Sequence, residues 1–361
     1  MAGERKGGGR MRKKQKTAAL AVLLALCLLA AGCAPKNAVR QDGAAGTSLT
    51  ICSQLPYYES KIFFDAFTQA TGIEVNAVYQ KDLTQEEQAS PSVCLGASAL
   101  DLMQMEKDGK LLAYASPVLE QIPEKYRPDG AAWTPYTIGI VCFAANWSWQ
   151  NSTKTHMPES WKDFLASQYE NEIAFAHPRY SDASYMVLVS LVQSMGESDA
   201  LFYFQRLNRN LQGYTDREGK SVTEAGTGAK KIALCYANES LKAQNDGYQL
   251  IMSYPEDGAI WLPYGAAILK GAPREELENA KRFIDWLIGK DAQQLLKKPN
   301  ISKTPLHQEL SDYGKMQVAD SLTKDTMDLE FAFSSREYLL ARYEEKVSEY
   351  ETAQEVAARR T

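Results

Sequence analysis

From residue 49 onward, short apolar runs alternate with helical patterns. Leu49-Thr50-Ile51 reads as a strand. Over 58–71 the apolar residues Ile62, Phe63, Ala66, Phe67 and Ala70 share one helical face, and Gly72 stops the helix. The stretch 73–79 alternates apolar and polar positions with the period of a half-buried strand. Val93-Cys94-Leu95 is a third strand, followed by a helix over about 99–108 that ends at Gly109. Further on, 138–144 is a strongly apolar strand, 158–164 starts a short helix, and 172–176 is again a strand. Ser181 caps a helix that runs through Met195 to Gly196, and 199–207 forms another. Strands follow at 231–235, 250–252 and 261–269. The helix over 274–288 is amphipathic, with Leu277, Ala280, Phe283, Ile284, Leu287 and Ile288 inward, and 335–358 is helical with many surface charges. This rhythm predicts an α/β fold with helices on the faces of a sheet, free of internal repeats and long linkers between 49 and 345.

Composition sets the outer bounds. The 361 residues are 45% hydrophobic, which supports one large or two medium domains and excludes a disordered, collagen-like or disulfide-scaffold chain. The formal charge of −5 argues against a general nucleic-acid binder, yet it averages two unlike parts. Residues 1–32 hold seven basic residues and one acid; the remainder carries 33 basic against 44 acidic residues, a formal charge of −11. The basic stretch 11–16 precedes a fourteen-residue apolar run at 18–31, too short to span a membrane, for which about 20 residues are needed. Those flanks mark a signal peptide. The run ends Leu29-Ala30-Ala31-Gly32-Cys33, which resembles a bacterial lipobox, with Ala30 where Leu is preferred. The expectation is cleavage after residue 32, lipidation of Cys33, and a flexible tether over 33–47 rich in Ala, Gly and polar residues.

Candidate chemistry narrows the field. Cys52, Cys94, Cys142 and Cys235 each sit in an apolar run; export permits disulfides, while buried strand positions favour free thiols. There is no CxxC, and His156, His177 and His307 are far apart, so no metal site is expected. An extracytoplasmic hydrolase is the alternative of a different class, but no G-x-S-x-G occurs. Gly219-Lys220-Ser221 would end a phosphate-binding loop only with Gly at 214, where Tyr214 stands; it and Gly226-Thr227-Gly228 read as turns.

Beyond these, the order of segments resembles one family. The opening strand with Ser53, the helix, and Thr71-Gly72-Ile73-Glu74-Val75 look like the start of type II solute-binding proteins of ABC importers. Segments at 108–114, 133–134, 158–164, 176–181, 254–258, 266–272 and 280–287 follow in the family's order. The nearest branch holds binders of ferric iron, polyamines, phosphonates and sugar phosphates. The resemblance implies a two-lobed α/β fold with hinge strands near 138–146 and 255–261. Lobe one would comprise 48–139 and 258–300, lobe two 140–257, with 301–361 a C-terminal segment packing on the lobes. It also implies a non-enzymatic monomer without cofactor, whose partners are a small solute and a membrane permease with its ATPase, or a sensor histidine kinase.

The cleft loops then weigh the ligand. Iron-binding relatives present two adjacent tyrosines after the strand matching 232–235, whereas here Tyr236-Ala237-Asn238-Glu239 offers one; the first loop, often bearing His, is Ser53-Gln54-Leu55-Pro56-Tyr57. Ser53 before one helix and Ser181 at the start of another suggest anion sites at helix N-termini, with Arg179 as a bidentate clamp and plain capping as the alternative for Ser181. Trp133, Tyr136, Asp182, Glu239 and Asp257 supply the aromatic-plus-carboxylate set that a cation prefers, although Asp257 also suits a turn at a hinge. The expected ligand is a small organic anion, with iron and polyamine as alternatives.

Overall fold

The computed structural model describes residues 48–79, 90–211, 213–310 and 327–348. The leader, Cys33, the tether and the end of the expected tail helix lie outside the described residues. The chain opens with β1 (Ser48–Ser53), α1 (Tyr57–Thr71), β2 (Glu74–Tyr79), β3 (Val93–Ser98), α2 (Ala99–Lys107) and β4 (Leu111–Leu112). Next come β5 (Thr134–Asn146), α3 (Trp147–Thr153), β6 (Ile173–Ala174), α4 (Asp182–Met195), α5 (Glu197–Leu207), α6 (Glu218–Thr227), β7 (Ile232–Tyr236), α7 (Ala237–Asn245) and β8 (Leu250–Ser253). The chain continues through β9 (Trp261–Leu269), α8 (Leu277–Ile288), α9 (Lys290–Leu295) and β10 (Thr304–Pro305), then α10 (Leu329–Ser334) and α11 (Arg336–Tyr343).

These strands form one mixed sheet in the order β2-β1-β3-β9-β5-β7-β6, with β10 and β8 also on β5 and β4 on β9. The pairs β1–β2, β1–β3 and β6–β7 are parallel; those involving β5 and β9 are antiparallel. Strand β5 joins two halves. Its residues through Ile140 pair with β9 and β10, and those from Val141 onward pair with β7 and β8. All thirteen of its residues are buried, the pattern of a strand covered on both faces. One apolar core surrounds the first half, built on Phe63, Phe67, Tyr136 and Phe283. Phe143, Phe164, Tyr185 and Phe204 belong to a second.

Gln293 pins the first half of β5. Its fully buried amide donates to the carbonyls of Tyr136 (2.9 Å) and Leu287 (3.0 Å) and accepts from Leu306 N–H (2.7 Å) and His307 N–H (3.2 Å). One side chain thereby satisfies backbone groups on β5, at the end of α8 and just after β10.

Several sequence expectations need correction. The expected helix at 158–164 is a loop with a single 3-10 turn at Asp163–Leu165. Asp163 turns back to accept the N–H groups of Glu159 (3.0 Å) and Ser160 (2.9 Å), a local bond that competes with a helix. The segments expected as turns at 219–221 and 226–227 lie within α6, and Gly228 ends that helix at φ +79°. Two glycines argue against a helix by propensity, but burial of Ser221, Val222 and Ala225 overrides it. Helix α8 begins after a 3-10 turn, and Asn279 is buried while Leu277 is only partly so. The four described cysteines are free, with Cys142 Sγ 3.9 Å from Cys235 Sγ across β5 and β7. Gln293→Ala is expected to lower unfolding free energy by about 3 kcal/mol, since it strands several buried polar groups at about 1–3 kcal/mol each. Urea unfolding measures this, and an unchanged midpoint would refute the pinning role.

Candidate functional site

A cavity of about 350 Å³ lies over the point where β5 changes partners, within the range of roughly 300–1,000 Å³ usual for small-molecule sites. Its floor is β5 at Tyr136–Gly139, together with Tyr236 at the end of β7 and Tyr264 on β9. Glycine makes this floor possible. A Cβ on Gly139 would stand 2.8 Å from Tyr236 Cδ1, so only a bare backbone lets that ring lie across β5. Gly96, at φ +89°, likewise lets Leu55 approach; a Cβ there would lie 2.7 Å from Leu55 Cδ2. The rings of Tyr236 and Tyr264 meet edge to face at 6.1 Å.

Three helices open onto the cavity: α1 through Leu55 and Pro56, α6 through Arg217 to Gly219, and α7 through Tyr236, Asn238 and Glu239. None of the three has a side-chain cap. Elsewhere Ser98 caps α2 and Ser181 caps α4. Uncapped first turns leave N–H donors and partial positive charge facing the cavity. Three cations join them. Lys303 pairs with the buried Glu59, Lys242 stands 3.7 Å from Glu239 with its ammonium 5.9 Å from the Tyr58 ring, and Arg217 is exposed. At the end of α7, Asn245 Nδ2 donates to Pro299 O (2.7 Å) and Ser302 Oγ (3.0 Å), joining the α7 side of the cavity to the segment bearing Lys303.

Glu218 is the unusual lining residue. Its Oε1 accepts the Tyr236 N–H at 2.6 Å. Burial of the carboxyl group, followed by the charge of Glu239, pushes its pKa up to about 8. Burial also holds the phenols of Tyr136, Tyr236 and Tyr264 well above their ordinary range, so they remain neutral donors. The Tyr136 hydroxyl is buried without a hydrogen-bond partner.

Of the residues singled out from sequence, Gln54, Tyr136, Tyr236 and Glu239 line this cavity. Ser53 is buried beneath it and accepts the Leu55 N–H at 3.2 Å. Tyr57 is 65% exposed beside Tyr79 and does not line it. Trp133 is buried in a different place, packed against Gly265. Arg179 is no free clamp, since its guanidinium is engaged by Glu344 (Nη2–Oε2 2.9 Å) from the C-terminal segment. Ser181 Oγ accepts the Ser184 N–H at 3.3 Å, the plain capping alternative. Asp182 meets Arg336 at 3.2 Å and Tyr264 Oη at 3.5 Å, and Asp257 accepts the Trp161 N–H at 2.7 Å, a turn-fixing role. Glu59, Arg217, Glu218, Lys242, Tyr264 and Lys303 escaped notice because their local sequences are those of ordinary helix starts, loops and strands. The Pro at 56 before α1 and the acid in the first turn of α6 and α7 were the available signals.

Glu218 links folding to pH. The folded chain binds this proton more tightly than the unfolded chain, so stability falls as pH rises from the ordinary carboxyl range to about 8 and changes no further above it. Glu218→Gln keeps the acceptor for Tyr236 N–H and removes the charge. Its melting temperature is expected to gain on the parent between pH 5 and pH 8.5; parallel melting curves across that range would refute the assignment.

Residues 98–321 match the family model described as bacterial extracellular solute-binding protein. The chain is 26% identical over 245 residues to a putative 2-aminoethylphosphonate-binding periplasmic protein of Salmonella typhimurium, covering 64% of this chain and 70% of that one. It is 24% identical over 257 residues to an Fe(3+)-binding periplasmic protein of Serratia marcescens, covering 66% and 73%. Its fold matches the periplasmic binding protein AfuA of Actinobacillus pleuropneumoniae, solved with fructose-6-phosphate, at a TM-score of 0.73 with 22% identity, over 84% of this chain and 99% of that one. With the family match spanning more than half its length and the two-lobed fold of these binding proteins, this chain belongs to the bacterial extracellular solute-binding proteins.

Proposed function

We propose that this protein is the lipid-anchored capture subunit of an ABC importer, and that its cavity binds a small solute bearing a phosphate, phosphonate or carboxylate group. The convergence of three uncapped helix N-termini on one cavity carries this reading. Such ends stabilise anions through aligned N–H groups and the helix dipole, and Arg217, Lys242 and Lys303 add full charges. Neutral phenols at Tyr136, Tyr236 and Tyr264 supply further donors. The named ligands of relatives, 2-aminoethylphosphonate and fructose-6-phosphate, share an acid group of this kind. In this reading the helix-end chemistry expected after Ser53 stays with α1, while that expected at Ser181 moves to α6 and α7.

Capture then follows from the sheet. Lobe one is proposed as 48–139 with 258–300 and lobe two as 140–257, so β5 crosses where its partners change, and the chain crosses back over 255–261. Rotation about these strands brings α6 and α7 toward α1 around the solute, and the Asn245 contacts with Pro299 and Ser302 hold that approach. The closed monomer is what a permease would accept, and no step of chemistry is required. The 33–47 tether and a lipid on Cys33 keep the receptor at the outer face of the membrane.

Calorimetric titration with fructose 6-phosphate, alkylphosphonates, spermidine and ferric citrate tests the ligand class. At least one phosphorylated or phosphonate solute is expected to bind with Kd below about 10 μM, near −7 kcal/mol, and Arg217→Ala with Lys242→Ala to weaken it about 100-fold. Binding of iron or spermidine alone would overturn the proposal. Detergent phase partitioning tests the anchor: the parent is expected in the detergent phase and Cys33→Ser in the aqueous phase, and partition of both into water would remove the lipid from the reading.

A further inference from the structure

The balance of charge in the cavity narrows the solute further, an inference that rests on the anion-binding reading above. Three cations line it, Arg217, Lys242 and Lys303, against three carboxylates, Glu59, Glu218 and Glu239. Two of the carboxylates already have cations, Glu59 from Lys303 and Glu239 from Lys242. Glu218 makes no ion pair among the described residues; its Oε1 holds the Tyr236 N–H, and its charged neighbours are Glu239 and Asp182 against the more weakly acting Lys242, whose ion pair is with Glu239. Arg217, next in sequence, is exposed and stands 3.5 Å from Asp216. Lys242 is closest to Glu239, and Asp182 is held by Arg336. Around Glu218 stand the rings of Tyr236 and Tyr264, whose faces attract cations, and the cavity also holds the unpartnered hydroxyl of Tyr136.

A desolvated carboxylate without an ion-pair partner is costly, and it is relieved either by a proton or by a cation brought from outside. With Glu218 ionised, a doubly charged anion alone would meet a lining whose formal charges cancel. We propose that the solute is a zwitterion whose acid group lies toward Arg217, Lys242 and the helix ends, and whose protonated amine pairs with Glu218. The solute then brings both charges the cavity is built to receive, and Glu218 discriminates against plain anions of the same size.

Two matched pairs of probes test this on the full mature protein by calorimetry at pH 7 in buffers of different ionisation enthalpy. They are 2-aminoethylphosphonate against propylphosphonate, and glucosamine 6-phosphate against glucose 6-phosphate. In at least one pair the amine is expected to bind 30-fold or more tighter, with the advantage falling below 3-fold in Glu218→Gln. Equal binding within both pairs, or tighter binding of the plain phosphate or phosphonate in both, would overturn the zwitterion while leaving the anion site standing. Binding of none of these probes, or of other phosphorylated solutes, would remove the anion reading itself. An amine advantage that persists in Glu218→Gln, with the variant's melting curve intact, would exclude Glu218 as the amine's partner.

Discussion

Strand β5 must satisfy its backbone on both sides along thirteen buried residues while serving two different sets of neighbours. That constraint organises the molecule. A buried amide left without a partner costs on the order of 1–3 kcal/mol, so the exchange of β9 and β10 for β7 and β8 has to occur with little interruption. It occurs between Ile140 and Val141. The cavity opens beside this junction because the strands there diverge to different partners and Gly139 leaves room for a ring rather than a methyl group. Gln293 fixes the near side of the junction through the Tyr136 carbonyl.

The site is electrostatic in construction. Helix ends, ammonium groups and carboxylates crowd a cavity of about 350 Å³. Two lysine–glutamate pairs hold the lining together, and Glu218 remains as the group whose charge is least compensated. The C-terminal segment contributes from outside. Arg336 engages Asp182 and Glu344 engages Arg179, so two residues with ligand-binding chemistry are committed to holding α11 and its continuation in place. Tyr343 is buried there against Phe204 and His177.

Much of the fold was legible in the chain. The helix at α1, with Gly72 in the left-handed conformation at its end, and the strand β9 over Trp261–Leu269 follow from local periodicity. Where local preference misled, a competing interaction explains it. Asp163 diverted an expected helix through its own backbone bonds, and burial drew a glycine-bearing segment into α6. Of the candidate site, the part next to a recognisable strand end was visible, as with Gln54 after β1 and Tyr236 and Glu239 after β7. Arg179 had the right chemistry, and nothing near it in sequence announces the glutamate that occupies it.

Sequence alone determined what depends on neighbours a few residues apart: the alternation of strands and helices, the basic leader ahead of Cys33, and the family to which the segment order belongs. These follow from backbone geometry and from the two periods at which side chains share a face. Tertiary structure decided which charges meet. Lys303 and Glu59 pair across 244 residues of chain, and Thr137 bonds to Thr304 across 167. The polarity of a helix end is set by its own backbone, but whether that end faces water, a serine cap or a shared cavity depends on where the chain returns. Three such ends met over one strand, and that meeting made the candidate site.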